Sequence, residues 1–240
     1  MSLTITGERA PSRPARDGAP LRAAVRTAGE LMITVGLILL LFSAYEVWGK
    51  ALIVDGRQKD LDAQLAQNWA TPTIAAPGPT TTPKDLGPPP PGGSIARLYV
   101  PRLAKHWVVV EGVRQVNLTY APGHYPDSAL PGQIGNFSVA GHRSPAIFWD
   151  LDIVVAGDPI VVETKDSYFV YRVTQNIIVL PNAVQVVAPV PDKPGVKPTE
   201  AMMTLTTCNP KWDNNERLIV HAKLTRSQPR TDGAPAELSG

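Results

Sequence analysis

A chain of 240 residues, 43% apolar and 18% charged, holds enough apolar material for one well-packed domain with extensions and too little for two large ones. A formal net charge of +2, with no Lys/Arg run interleaved with aromatics, excludes a nucleic-acid-binding surface. The single cysteine, Cys208, excludes an intramolecular disulfide. Residues 1–30 are polar, rich in Pro and Gly, and carry Arg9, Arg13, Arg16, Arg22 and Arg26 without a lysine, so a disordered tail is expected there. Leu31 to Tyr45 carries no charge, and the stretch 28–48 reaches about 20 residues, the length that crosses a hydrocarbon core. The arginines before it outnumber Lys50, Arg57 and Lys59 after it, which by the positive-inside rule predicts a single-pass anchor with a cytoplasmic N-terminus and the remaining chain outside the cell membrane. Tyr45 and Trp48 would then sit at the outer interface. A cleaved signal peptide is the alternative; but Ser43 and Ala44 lead into Tyr45, Glu46 and Trp48 without a small-x-small site, which favours an uncleaved anchor.

Over 49–93 the spacing of Leu61, Leu65 and Trp69 predicts a short amphipathic helix. Eight of the 25 prolines then fall between Pro72 and Pro91, and the Pro/Thr/Gly-rich run reads as an extended stalk. Residues 94–226 consist of short runs rich in Val, Ile, Tyr and Thr, separated by Gly, Pro, Asn and Asp, which predicts an all-β domain. Strands are expected over 95–100, 107–111, 136–141, 159–164, 168–180 with a bend near Gln175, 201–207 and 217–225, enough for a barrel or sandwich. The last residues, 227–240, lose all periodicity and are expected to be a disordered tail.

A free thiol in an oxidising compartment invites a reactive role, although a lone cysteine is often an inert buried group. Its neighbours bear on that choice. Met203 and Leu205 share one face of their strand, as do Leu218, Val220, Ala222 and Leu224 of the next. If the two pair antiparallel with Leu205 opposite Val220, Cys208 lies opposite Arg217 on the other face. His142 ends the strand that presents Ser138 and Ala140 on one face, and emerges beside the same groove. A thiol flanked by an imidazole and a guanidinium supplies what acyl transfer needs: a thiolate nucleophile, an acid for the leaving amine and a cation for the tetrahedral oxyanion.

The segment T-L-T-T-C over 204–208, with Arg217 nine residues on and A-G-H-R over 140–143, resembles the T-L-x-T-C and histidine segments of sortases. Phe148 to Thr164 is similar to that family's middle strands, so the resemblance covers nearly all of 94–226. It implies an eight-stranded β-barrel in which His142, Cys208 and Arg217 are the catalytic trio and Thr207 helps hold the oxyanion or substrate. It also implies the reaction: attack of Cys208 on the Thr-Gly bond of a C-terminal sorting signal on a secreted protein, a thioacyl intermediate, and transfer to the amine of a peptidoglycan precursor, with no metal or organic cofactor. The anchor, the stalk and the segment 117–132 are most similar to the class E housekeeping sortases of high-GC Gram-positive bacteria, which are associated with L-A-x-T-G in place of L-P-x-T-G. In that group Tyr120 stands where a substrate-contacting tyrosine is expected.

The other histidines fit the catalytic role less well. His221 shares the face of Arg217, but four residues along a strand is about 13 Å, too far for direct proton exchange. His124 and His106 read as structural. An L,D-transpeptidase would need an S-x-G-C-type segment that the chain lacks. A noncatalytic membrane-anchored surface β-domain with an inert thiol, or a pilin-polymerising sortase, remains as an alternative, although no inserted lid is evident. The scattered carboxylates assign no calcium site.

Overall fold

The computed structural model describes residues 19–70 and 89–239. The expected tail over 1–18, most of the Pro-rich stalk (71–88) and the side chain of Trp48 lie outside the described residues. Two units divide the chain, one ending at Val47 and the other beginning at Trp48.

In the first unit α1 spans Ala19–Ala44, and its stretch Leu21–Ala44 is long and apolar enough to cross a membrane. Several polar side chains within it are satisfied locally. Thr27, Thr34 and Ser43 each donate to the carbonyl four residues back, and Arg26 pairs with Glu30 at 2.7 Å. A helix surrounded by hydrocarbon requires this, because no solvent partner is on hand.

The second unit holds α2 (Lys50–Ala70), a short α3 (Gln115–Leu118) and eight strands: β1 Ser94–Val100, β2 Lys105–Glu111, β3 Gly123–His124, β4 Gly135–Ala140, β5 Pro159–Glu163, β6 Ser167–Val179, β7 Ala201–Asn209 and β8 Glu216–Pro229. They close into a barrel in the order β1-β2-β3-β4-β7-β8-β6-β5. The pairs β2–β3 and β4–β7 are parallel and the rest antiparallel. All seven expected runs are strands. The one not anticipated, β3, has two residues, too few to show a period. The bend near Gln175 is a register shift of β6 against β8 between Val173 and Gln175. Inside the barrel Leu98, Val109, Phe137, Tyr171, Leu205 and Val220 are all closed to solvent. The loop after β4 closes one end by inserting Ile147, Phe148 and Leu151, with Phe148 edge-on to Trp107 at 5.2 Å.

Two segments are bound more tightly than expected. The helix α2 is present but packs on the barrel rather than standing free below it. Leu65 is 1% exposed, a burial worth about 1.5–3 kcal/mol. Gln58 accepts from the Val108 N–H at 2.7 Å and donates to the Tyr120 carbonyl at 2.9 Å, and Asp62 pairs with Arg97. Trp69 lies under two guanidinium groups, Arg97 at 4.8 Å and Arg230 at 4.9 Å. The segment 227–239, expected to be disordered, is ordered instead: β8 runs to Pro229, Arg230 reaches the buried Glu163 at 2.9 Å, and Glu237 pairs with Arg172 and Arg226. These partners are distant in sequence, so the order they impose leaves no local periodicity.

Candidate active site

Strand β7 is the axis of the site, flanked by β4 on one side and β8 on the other. Leu205 pairs with Val220 and Cys208 with Arg217, the register expected from the apolar alternation. On the other flank Val139 pairs with Leu205 and Ala140 with Thr206. Gly141 N–H donates to the Thr206 carbonyl at 3.0 Å, and His142, two residues past the end of β4, opens the loop on this flank of β7. Because Met203 and Leu205 point into the core, Thr204, Thr206 and Cys208 face outward. Cys208, His142 and Arg217 line a single groove of about 310 Å³.

Each member is held by its local sequence. A side chain at Gly141 would put its Cβ 2.5 Å from the Phe148 ring, so glycine is required just before His142 for the loop to fold back into the barrel. The Gln115 side chain of α3 approaches His142, Nε2 to Nε2, at 3.4 Å. Arg217 donates through Nη1 to the carbonyls of Asn214 (2.7 Å) and Glu216 (2.8 Å), so the β7–β8 loop fixes its guanidinium. Cys208 is half-buried and has a free thiol.

The remaining three histidines are engaged elsewhere. His124 bonds Glu111 at 2.8 Å and Ser128 at 2.9 Å in a buried cluster. His106 stacks on Tyr99 at 5.3 Å and lines a second cavity, of about 470 Å³, between α2 and β2. His221 faces Thr204 at 2.9 Å. Burial lowers its pKa below the ordinary imidazole value, opposed by the attraction of Asp192.

The two remaining expected site residues fall differently. Thr207 borders the groove, but its alternation with Cys208 turns it to the Leu205 side, and its hydroxyl is buried without a hydrogen-bond partner among the described residues. Tyr120 is not in the groove: its ring lies under the Arg57 guanidinium at 5.6 Å. The tyrosine that lines the groove is Tyr125, its hydroxyl 3.2 Å from that of Thr206. The sequence places the two tyrosines five residues apart, and the short β3 between them, invisible to periodicity, carries them to different surfaces. The opposite wall, Leu180 to Val187, was also not anticipated as part of the site. It is held down by Asn136, which donates to the Ala188 carbonyl at 2.9 Å and accepts from Thr204 at 2.8 Å.

The sortase domain family matches residues 98–225. The chain belongs to the sortase family. It is 32% identical to sortase SrtE1 of Streptomyces coelicolor, over 98% of this chain and 67% of that protein. It is equally 32% identical to sortase SrtE2 of the same organism, over 95% of this chain and 91% of that one. Among solved structures it is similar to sortase E1 from Streptomyces coelicolor with a tripeptide in the active site, at 37% identity and a TM-score of 0.58, covering 62% of this chain and 99% of the other. Within the sortases its likeness is to class E, and like other sortases it is a cysteine transpeptidase.

Proposed function

We propose that this sortase cleaves the Thr-Gly bond of a C-terminal L-A-x-T-G or L-P-x-T-G signal and joins the protein to an amine of a cell-wall precursor. The observation that carries this reading is the register of three adjacent strand ends, which sets His142, Cys208 and Arg217 side by side in one groove. The Cys208 thiolate attacks the threonine carbonyl; Arg217 receives the negative charge of the tetrahedral oxygen; His142 protonates the departing glycine amine as the C–N bond breaks. The thioacyl enzyme is resolved when the incoming amine gives a proton to neutral His142 and displaces the thiolate. Thr207 is assigned a supporting part, because it borders the groove and its buried hydroxyl has no partner among the described residues. Tyr125, in place of Tyr120, is assigned the contact with the substrate. The apolar α1 anchors the enzyme in the cell membrane with the five arginines inside, and residues 71–88 serve as a spacer in the linker.

The test is incubation of the full-length chain in detergent with L-A-x-T-G and L-P-x-T-G peptides and an amine such as triglycine, followed by mass spectrometry. Thr-Gly cleavage with amine ligation is expected, lost in Cys208→Ala and lowered by about 10²–10⁴-fold in His142→Ala and about 10²–10³-fold in Arg217→Ala. Full turnover by Cys208→Ala would refute the assignment, and a folded enzyme inactive on every signal would support a noncatalytic surface domain.

A further inference from the structure

Arg143 follows His142 directly, and its side chain is only 4% exposed. Four acceptors converge on its guanidinium: the Trp149 carbonyl at 2.8 Å from Nε, the Cys208 carbonyl at 3.3 Å and Asn209 Oδ1 at 3.2 Å from Nη1, and Asp152 Oδ1 at 3.1 Å from Nη2. Two of these lie in the loop after His142, one is the backbone of the nucleophile, and one is the side chain that follows it. The backbone ladder between β4 and β7 runs out at the bond from Gly141 N–H to the Thr206 carbonyl. The next carbonyl on that edge of β7, two residues on, is that of Cys208, and the donor it meets is the Arg143 side chain. Arg143 therefore adds one more rung at the level of the reacting groups. Farther out, the same two loops are joined by Lys211 to Asp150 at 3.0 Å and by Trp149 against Trp212 at 4.8 Å. Those contacts are partly exposed; the guanidinium is the buried inner fastening. Asn209 is in turn fixed by donating to Glu216 at 2.8 Å, which extends the bracing to the first residue of β8, next to Arg217.

We propose that Arg143 is a positioning residue of the transpeptidation reaction, locking the Cys208 backbone against the His142 loop so that thiol and imidazole keep their working separation. It touches neither substrate nor the reacting atoms. A planar fork is needed, because the acceptors lie around three different nitrogens, and a lysine has one nitrogen to offer. The proposal rests on the assignment of Cys208 and His142 made above.

The experiment measures kcat, KM and the single-turnover acylation rate of full-length Arg143→Lys, Arg143→Gln and Asp152→Asn in detergent, with circular dichroism to select temperatures at which each is folded. A displacement of about 1 Å at the reacting centre lowers rates on the order of 10²-fold, and that loss is expected in acylation and kcat for both Arg143 variants, with KM within about threefold of wild type. Lysine is not expected to rescue. Asp152→Asn, at a half-exposed carboxylate, keeps the fold safe and is expected to lower kcat by about threefold at unchanged KM, since one of the four acceptors loses its charge. A folded Arg143→Lys or Arg143→Gln enzyme with wild-type kcat, or a loss confined to KM, would overturn the inference. Activity surviving in Cys208→Ala would instead overturn the site on which it rests, so the two failures are told apart.

Discussion

Two buried ionic clusters divide the work of this domain. One centres on Glu163, whose side chain is 3% exposed and is met by Arg97, Arg230, Tyr99 and Tyr168; through Arg97 and Trp69 it fastens α2 and the C-terminal segment to the barrel wall. The other centres on Arg143 and fastens the ends of β4 and β7, where His142 and Cys208 sit. Both obey the same rule, that a charge removed from water must be paired. What differs is the identity of the pieces they join. Breaking a cluster that joins segments of the fold is read in stability, whereas breaking one that joins two reacting groups is read in rate.

Glu163→Ala is the largest blow to the first cluster, since it leaves Arg97 with Asp62 alone and takes from Arg230 its carboxylate partner. A loss of about 3–5 kcal/mol is expected by chemical denaturation, while kcat measured on folded enzyme stays within about threefold of wild type because the sites are independent. A fall in kcat at unchanged midpoint would erase the distinction between the clusters. Next comes α2: Leu65→Ala should destabilise by about 2–5 kcal/mol, and Trp69→Ala by about 1–2 kcal/mol through two lost cation–π contacts. A chain cut to begin at Ser94 should be less stable than one beginning at Lys50. Equal midpoints for the two would return α2 to the role of a free stalk.

The barrel strands and the face shared by Cys208 and Arg217 were legible because alternation has a period of two; of the registers two residues apart that this allows, the structure adopts the one with Leu205 opposite Val220. His142 was expected to end its strand, but β4 stops at Ala140 and His142 opens the following loop, because Phe148 and Ile147 draw the chain at Gly141 back over the barrel. Tyr125, Gln115 and the wall from Leu180 to Val187 were not legible, since loops carry no period and their paths are set by contacts such as that from Asn136 to the Ala188 carbonyl. The docking of α2 and the order of 227–239 were hidden for a related reason: the ion pairs from Asp62 to Arg97 and from Glu237 to Arg172 link residues that no short window contains. Amphipathic spacing in α2 announced a helix, and Leu65 on its apolar stripe was the one signal that the helix had something to pack against.

Thr207 offers a case between the two readouts. Its hydroxyl is buried and unpartnered, which ordinarily costs about 1 kcal/mol or more. Thr207→Val is therefore expected to raise the unfolding free energy by about 1 kcal/mol, seen as a higher denaturation midpoint, and, if the hydroxyl receives its partner from the substrate, to slow acylation by about tenfold. A raised midpoint with unchanged acylation would assign Thr207 to the barrel wall alone.

His221 gives the smallest effect, absent at neutral pH. Thr204 gives its hydroxyl hydrogen to Asn136, so the imidazole donates from Nδ1 to the Thr204 oxygen. Among the described residues a proton added at buried Nε2 meets Asp192, 3.5 Å away, and burial lowers the pKa. The unfolded chain then binds the proton more readily than the native state. Stability rises with pH across that interval: it is fully present above the ordinary imidazole value near 6.5 and declines as pH falls from there toward the lower native value. Melting temperatures of wild type and His221→Gln should run parallel above neutrality and separate on acidification, because only the wild type carries an imidazole whose lowered native pKa makes acid destabilising. Because this histidine supports the Thr204–Asn136 link that holds the groove wall, wild-type KM for the signal peptide should rise over the same interval; parallel melting profiles down to about pH 5 would remove His221 from that role.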